Sequence, residues 1–272
     1  MSRPTKRHPG ESIGVQAMDV GLKLLRPLIE AGTPLNLKTI AEAVDFSPPK
    51  AHRYLVSLIR AGLVEQDEQT GRYGLGQLAV SLGLTALGML DKDGVGRAAI
   101  IDLRHETDHT AHFIVWGSGG PTVVSSEASS NPGSVFLTTR IGSIFALLRT
   151  ATGHVFLAYL PRETTRLLLE KERQSFPTTD QEIEALITRT RRHGIGWSID
   201  GLAPGVSAIA APVFDHTGHF VYAFSIIGQN AHFETSPEGR LANIVRAKAR
   251  ATSNRLGCSD VMYDVLVKGG GL

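Results

Sequence analysis

Lys50, Arg53, Ser57 and Arg60 follow one another at intervals of three and four residues, so a helix carrying them presents one outward stripe of cations and a hydroxyl. Such a helix fits the major groove of DNA, where Lys and Arg reach guanine edges or phosphates and Ser bonds to either. An ordinary solvated helix face looks the same, so the neighbouring residues must decide between the two readings. A second candidate is Thr150-Ala151-Thr152-Gly153, ahead of a helix expected over Gly153 to Leu160. Free N–H groups at such an end attract a carboxylate. A third is His105, His109 and His112, which could offer imidazoles to zinc or a similar ion if one helix ran through all three. A strand starting at Ala111 would instead break that helix near Thr107, and no metal is assigned. The chain contains no nucleophile elbow, no phosphate-cradling Gly-Lys-Ser/Thr loop and no dinucleotide glycine fingerprint, and Gly117 to Gly120 is a turn. Neither catalysis nor a cofactor is expected; a catalytic second half whose product reports to DNA is the alternative, without a visible reactive dyad to support it.

The elements that must hold the cationic stripe are sharply bounded. Ser47 suits an N-cap, Pro48 the first helical position where no donor is needed, and Gly62 the left-handed end. Between them Ala51, Leu55, Leu58 and Ile59 repeat at helical spacing and should face inward. A helix from Leu37 to Val44, capped by Asn36, precedes it across a tight turn at Asp45-Phe46. A strand-turn-strand tipped by Thr70-Gly71 follows. Helix, turn, capped helix and hairpin make a winged helix-turn-helix, an arrangement with few uses other than docking on DNA; a small protein-interaction module built the same way is the alternative. The expected DNA contacts are Ser47, Pro48, Pro49, Lys50, Arg53 and Ser57, with Arg72 on the wing for phosphate. Glu65, Asp67 and Glu68 on the approach strand are unfavourable beside phosphate.

With 272 residues the chain is long enough for two domains. Its formal net charge of +2 means that the charge available for nucleic acid is local. Arg3, Lys6, Arg7 and His8 form a basic tail over residues 1–14, read either as a phosphate-seeking arm or as a solubilising end. No apolar run is long enough for a membrane span, the start lacks a signal-peptide core, and the lone Cys258 fits a reducing compartment. A cytoplasmic protein with no membrane partner is expected.

Around the winged unit, Val15 to Ala31 reads as one helix kinked at Pro27 and closed by Gly32, and Gln77 to Leu90 as a helix apolar on more than one side. Further on, a helix is expected over Ala98 to Glu106 and strands over Ala111 to Trp116 and Thr122 to Ser126. A capping box at Thr179 to Glu182 should open a helix closed by Gly194. Strands over Val206 to Val213 and Phe220 to Ile227 should be joined at Asp215-His216-Thr217-Gly218, and a last helix should run from Ser236-Pro237 to about Gly257. Hairpin-paired strands with helices between them suggest an α+β domain on an antiparallel sheet. The expected division is a winged domain over 15–76, a linker helix over 77–94, a second domain over 95–257 and a tail over 258–272.

Two separate segments also resemble the IclR-type bacterial transcription regulators. In IAEAVDFSPPKAHRYLVSLIRAGLVEQDEQTGRYGLG, the His52-Arg53 pair, Ala61 to Val64 and Thr70 to Tyr73 fall on that pattern. In PGVSAIAAPVFDHTGHFVYAFSIIG, Pro204 to Val206 and Ile209 to Val213 do. The resemblance implies that the helix after the wing links two domains and touches a second subunit, and that the second domain is similar to a GAF fold and binds an effector. It further implies an effector site at Ala151, Thr152 and Gly153, an acid position filled by Asp200, and strand positions filled by Ala208, Ser225 and Ile227. His154 departs from a common lysine, and Ala208 and Ile227 make the expected site apolar. With Phe113 and Trp116 as possible aromatic walls, this favours an aromatic or medium-sized organic acid. Thr152 and Ser225 merely satisfying backbone groups, with Phe113 in the core, is the alternative. One recognition helix reads few base pairs, so a dimer or a dimer of dimers on a near-palindromic operator is expected.

Overall fold

A computed structural model describes residues 15–89, 91–130 and 139–269. The basic tail expected over 1–14 lies outside the described residues. The chain divides into two compact units, Met1–Met89 and Leu90–Leu272.

The first unit opens with helices α1 (Gln16–Leu22) and α2 (Leu25–Ala31). The single helix kinked at Pro27 is therefore corrected: the break falls at Lys23-Leu24, ahead of the proline. A proline ring collides with the carbonyl four residues earlier, which here is that of Lys23, so the chain breaks there and Pro27 occupies the tolerant first turn of α2. Helix α3 (Leu37–Ala43) is capped by Asn36 Oδ1, which accepts from Thr39 N at 2.9 Å. Helix α4 (Pro48–Arg60) ends at Gly62, whose φ of +76° is left-handed. Strands β1 (Val64–Gln66) and β2 (Tyr73–Leu75) pair antiparallel, and Leu35 adds a bridge to Tyr73. Leu24, Leu28, Ile40, Ala41, Ala51 and Leu55 close a core beneath these elements. Helix α5 (Gln77–Gly88) follows and leaves Leu78, Val80, Leu82 and Leu84 exposed.

The second unit starts with helix α6 (Lys92–Thr107), set by the Asp91 cap on Gly94 N and so longer at its start than the helix expected from Ala98. Strands β3 (Thr110–Gly117) and β4 (Gly120–Glu127) come next. Helices α7 (Ala151–Tyr159), α8 (Arg162–Ser175) and α9 (Asp180–His193) precede strands β5 (Gly196–Ile199), β6 (Val206–Phe214) and β7 (Phe220–Gln229). The sheet is five-stranded and antiparallel, in the order β4-β3-β7-β6-β5. Every residue of β6 is buried, as a central strand covered on both faces must be. Pro212 is tolerated there because β5 stops pairing at Ala210.

Strand alternation sorts the side chains into two layers. Ala111, Phe113, Ile209, Ala211, Phe224 and Ile226 pack toward α6 and helix α10 (Arg240–Arg255). Ile114, Ala208, Ala210, Ala223 and Ile227 pack toward α7 and α9. The capping box of α9 is present, with Glu182 receiving Thr179 N at 2.8 Å and Thr179 Oγ1 receiving Glu182 N at 3.2 Å.

Two further expectations change. The last long helix opens at Arg240, because Ser236 to Gly239 forms a turn and Glu234 accepts from Arg240 N. The segment assigned as a tail holds helix α11 (Asp260–Val267), capped by Ser259 and anchored by buried Tyr263 against Phe214. Helix α8 and strand β5 were not anticipated.

Candidate nucleic-acid interface and ligand cavity

Helix α4 turns Ala51, Leu55 and Leu58 into the core and leaves Arg53, Ser57 and Arg60 exposed. The cationic ridge therefore faces outward from the winged unit, rigidly held by its apolar underside. Ser47 occupies the N-cap position with extended backbone, yet its side chain makes no capping bond, which corrects the expected hydrogen bond. Pro48 and Pro49 sit beside it at the exposed helix entry, so the first two helical positions carry no backbone donor to leave unpaired.

Two members of the ridge are less free than sequence suggested. Lys50 Nζ sits 3.8 Å from the centroid of the Phe46 ring, a cation–π contact that turns the ammonium back toward the helix–helix turn. Ser57 Oγ reaches the Arg53 carbonyl at 3.4 Å. His52 Nδ1 and Tyr73 Oη, 3.3 Å apart, tie α4 to the wing. At the wing tip Asp67 Oδ1 accepts from Thr70 N at 2.6 Å and Thr70 Oγ1 at 2.7 Å, and these bonds hold its carboxyl below the usual range. That carboxylate is spent on shaping the turn. Arg72 beside it is exposed and has no ion pair among the described residues.

In the second unit α7 starts at Ala151, two residues earlier than expected, because Thr150 is its cap: Thr150 Oγ1 accepts from Gly153 N at 2.9 Å. Ser198 Oγ on β5 accepts from Ala151 N at 3.1 Å. A small cavity lies at this helix end. Ala151, Thr152, Ala208, Ser225 and Ile227 all line it, together with Thr150, Ser198, Phe145 and Leu202. Its free room is about 10 Å³, roughly that of one water, so any larger occupant requires the lining side chains to give way.

Two expected members are placed elsewhere. Gly153 is where α7 meets the preceding backbone: a Cβ there would come within 2.1 Å of the Ala146 carbonyl oxygen. Asp200 is exposed, with φ +57°, and its Oδ1 accepts from Gly205 N at 2.7 Å and Asn230 Nδ2 at 2.9 Å. Those bonds, led by that from Asn230, lower its pKa and close the loop ahead of β6. Phe113 lies in the opposite layer against Tyr222 and Phe224, since it alternates with His112 and Ile114, and cannot wall the cavity. Trp116 faces the correct layer but packs on Phe156. The aromatic wall is Phe145, which sits in irregular chain where periodicity gives no signal.

The three histidines do not converge. His105 is at the end of α6 beside Arg104, His109 stacks on Phe233 with ring centroids 4.9 Å apart, and His112 is buried on β3. Among the described residues no group of three or more His, Cys, Asp or Glu is arranged to hold a metal. Burial pushes the pKa of His112 down to about 4, and it is therefore neutral. His154 on α7 is likewise pushed down to about 4, mainly by burial, with Nε2 3.1 Å from the Leu148 carbonyl. Among the described residues no helix is long and apolar enough to cross a membrane.

Comparison with known proteins gives consistent similarities. Residues 17–68 match the IclR helix-turn-helix domain, and residues 90–254 match the bacterial transcriptional regulator IclR C-terminal domain. The chain is 30% identical to the glycerol operon regulatory protein of Streptomyces coelicolor, over 89% of this chain and 97% of that one. It is 24% identical to the transcriptional regulator XynR of Escherichia coli, over 89% and 98%. Among crystal structures, Pseudomonas aeruginosa HmgR superposes with a TM-score of 0.81 at 34% identity, covering 89% of this chain and 98% of that one. The repressor BlcR of Agobacterium tumefaciens shares the fold, with a TM-score of 0.70 at 20% identity over 89% and 98%.

Proposed function

Because this chain belongs to the IclR family of bacterial transcriptional regulators, which are DNA-binding proteins and not enzymes, we propose that it binds a near-palindromic operator sequence-specifically as a symmetric assembly. The family gives a helix-turn-helix that binds DNA and a C-terminal effector domain. What supports the finer reading is the exposed ridge of Arg53, Ser57 and Arg60 over a buried underside, with Arg72 free on the wing. Arg53 is assigned to the groove, Lys50 joins it by leaving the Phe46 ring, and Arg72 takes phosphate. The helix entry at Ser47, Pro48 and Pro49 approaches the backbone.

Pairing of two copies is assigned to α5, whose exposed Leu78, Val80, Leu82 and Leu84 make it apolar on more than one side. The assembly is a dimer or a dimer of such dimers, acting in the cytoplasm. The effector is a small organic acid, an aromatic one being favoured by the Phe145 wall. It occupies the cavity of Ala151, Thr152, Ala208, Ser225 and Ile227, with the N-terminus of α7 facing its carboxylate. Its binding shifts operator affinity only as far as it distinguishes the DNA-bound arrangement from the free one.

The test is a gel-shift titration against the chain's own promoter region, paired with a thermal-shift screen of aromatic and aliphatic acids. Thr152→Trp and Ser225→Phe should retain operator binding and lose the response to an acid that shifts the parent protein. A response that survives in both variants places the effector elsewhere, and failure of the parent protein to bind its promoter DNA favours a protein-docking role for the winged unit.

A further inference from the structure

Strand register places His112 on β3 directly opposite Ser225 on β7, both on the sheet face turned to α7. Both side chains are almost completely buried. His112 Nε2 is 2.7 Å from Thr139 Oγ1, whereas His112 Nδ1 and Ser225 Oγ have no hydrogen-bond partner among the described residues. Two unpartnered polar atoms on facing residues of neighbouring strands are unusual in a folded interior, where such groups are nearly always paired. Ser225 lines the cavity, and the His112 ring stands edge-on to Phe145, which lines it too, with centroids 5.8 Å apart. The other lining residues are the apolar Ala151, Leu202, Ala208 and Ile227 and the hydroxyl-bearing Thr150, Thr152 and Ser198.

We propose that His112 and Ser225 are a specificity pair for a hydroxyl group on the effector, so that the ligand class is a hydroxylated organic acid. The inference rests on the effector reading given above. A hydroxyl carries one donor and two acceptor lone pairs, so a single one can bond to an imidazole nitrogen and a serine hydroxyl together. No cationic side chain is among the described residues that line the cavity, so the carboxylate is better placed against the partial positive charge of a helix N-terminus than beside His112 and Ser225. The acid group belongs at the other end, at the start of α7. A ligand without the hydroxyl would bury its apolar edge against two unpaired polar atoms, and sites of this kind discriminate strongly against the analogue lacking the group.

The experiment uses the full chain and isothermal titration of matched probes: benzoate against 3- and 4-hydroxybenzoate, and propanoate against lactate. At least one hydroxylated probe should bind roughly tenfold or more tighter than its parent acid, as the loss of one paired buried polar group implies. Ser225→Ala and His112→Phe should each bring the affinity ratio between the hydroxylated probe and its parent acid toward one, a split that general loss of structure, which weakens both acids alike, would not produce. Ser225→Ala is the smaller change and keeps the test decisive if His112→Phe fails to fold. If acids bind in a manner abolished by Thr152→Trp but with no preference for the hydroxylated member, the hydroxyl inference falls and the effector site stands. If the preference persists unchanged in Ser225→Ala, the pair is not its source, and an ordered water between the two side chains becomes the explanation for both atoms. If no acid in either series binds, the inference and the effector reading fall together.

Discussion

Lys50 Nζ rests 3.8 Å from the centre of the Phe46 ring, so the first cation of the recognition ridge is held by the turn that precedes its own helix. Arg53, one turn further on, has no such restraint among the described residues and is exposed. The two should therefore contribute differently to DNA binding. Arg53→Ala is expected to weaken operator binding about tenfold or more and to lower the salt-dependence slope by roughly 0.9 if it neutralises a phosphate. Lys50→Ala should cost less, because the lysine must first give up a contact of about 0.5–1 kcal/mol. Phe46→Leu removes that tether, and the penalty of Lys50→Ala measured in its background should grow. Salt titrations of operator affinity for the parent, the three single variants and the double variant check this; an Arg53→Ala slope and affinity equal to the parent's would remove Arg53 from the interface.

Gly153 separates packing from ligand contact. A Cβ at this position would lie 2.1 Å from the Ala146 oxygen and 2.4 Å from that of Leu147, both backbone atoms that cannot swing aside. Gly153→Ala is expected to destabilise the second unit by about 3 kcal/mol, the upper end of ordinary overpacking. Chemical denaturation measures the loss. Since Gly153 does not line the cavity, affinity for an effector acid should stay within a few-fold of the parent's in the folded fraction. A variant of unchanged stability with lost acid affinity would return Gly153 to the binding surface.

The recognition helix was legible in sequence because its bounds are local chemistry: Pro48 fixes an entry, Gly62 fixes an exit with φ +76°, and the apolar repeat between them matches the core. Four of the sheet's strands were legible as apolar runs bounded by turns, but not which face each side chain takes, since β6 is buried along its whole length. Side-chain destinations were not. Nothing in the order of residues says that Lys50 folds back on Phe46, or that Asp200 closes a loop through Gly205 and Asn230. Phe145 was missed because it lies in irregular chain. Phe113 was misplaced because an aromatic on a strand can face either layer until register is known. His112 was weighed as a metal ligand with His105 and His109; only its pairing with Ser225 shows its own setting.

Acidification should destabilise the second unit through its buried imidazoles. In the unfolded chain His112 and His154 take up protons as the pH falls through about 6.5. Burial holds both folded pKa values near 4, so between those limits the unfolded state binds more protons and folding loses ground. Stability from these two groups is complete above about pH 7 and declines from there to about pH 4, by up to roughly 1.4 kcal/mol per pH unit for each histidine. Melting temperatures of the parent and of His154→Gln from pH 7.5 to 4.5 check it: the variant should start lower and fall less steeply. Parallel curves would mean that His154 does not titrate with unfolding.

Self-association can be separated from folding on α5. Leu82 and Leu84 are 55% and 67% exposed, and Leu78 and Val80 are 42% and 49% exposed, so the helix shows a width of apolar surface that a soluble monomer rarely leaves uncovered. Replacing one of these exposed residues costs the single chain little, since no core contact is lost, but a carboxylate placed in a dimer seam would be desolvated without a partner. Leu82→Glu is therefore expected to keep the melting behaviour of the winged unit and to shift the protein toward monomer in sedimentation equilibrium. Operator affinity should fall with it, by about a hundredfold or more, because the second half-site then binds as an independent event instead of at the high effective concentration that linkage provides. A half-site probe should be bound equally by parent and variant. If Leu82→Glu and Leu84→Glu both remain dimeric, α5 does not carry the pairing surface, and the symmetric reading of the operator must rest on another face of the molecule.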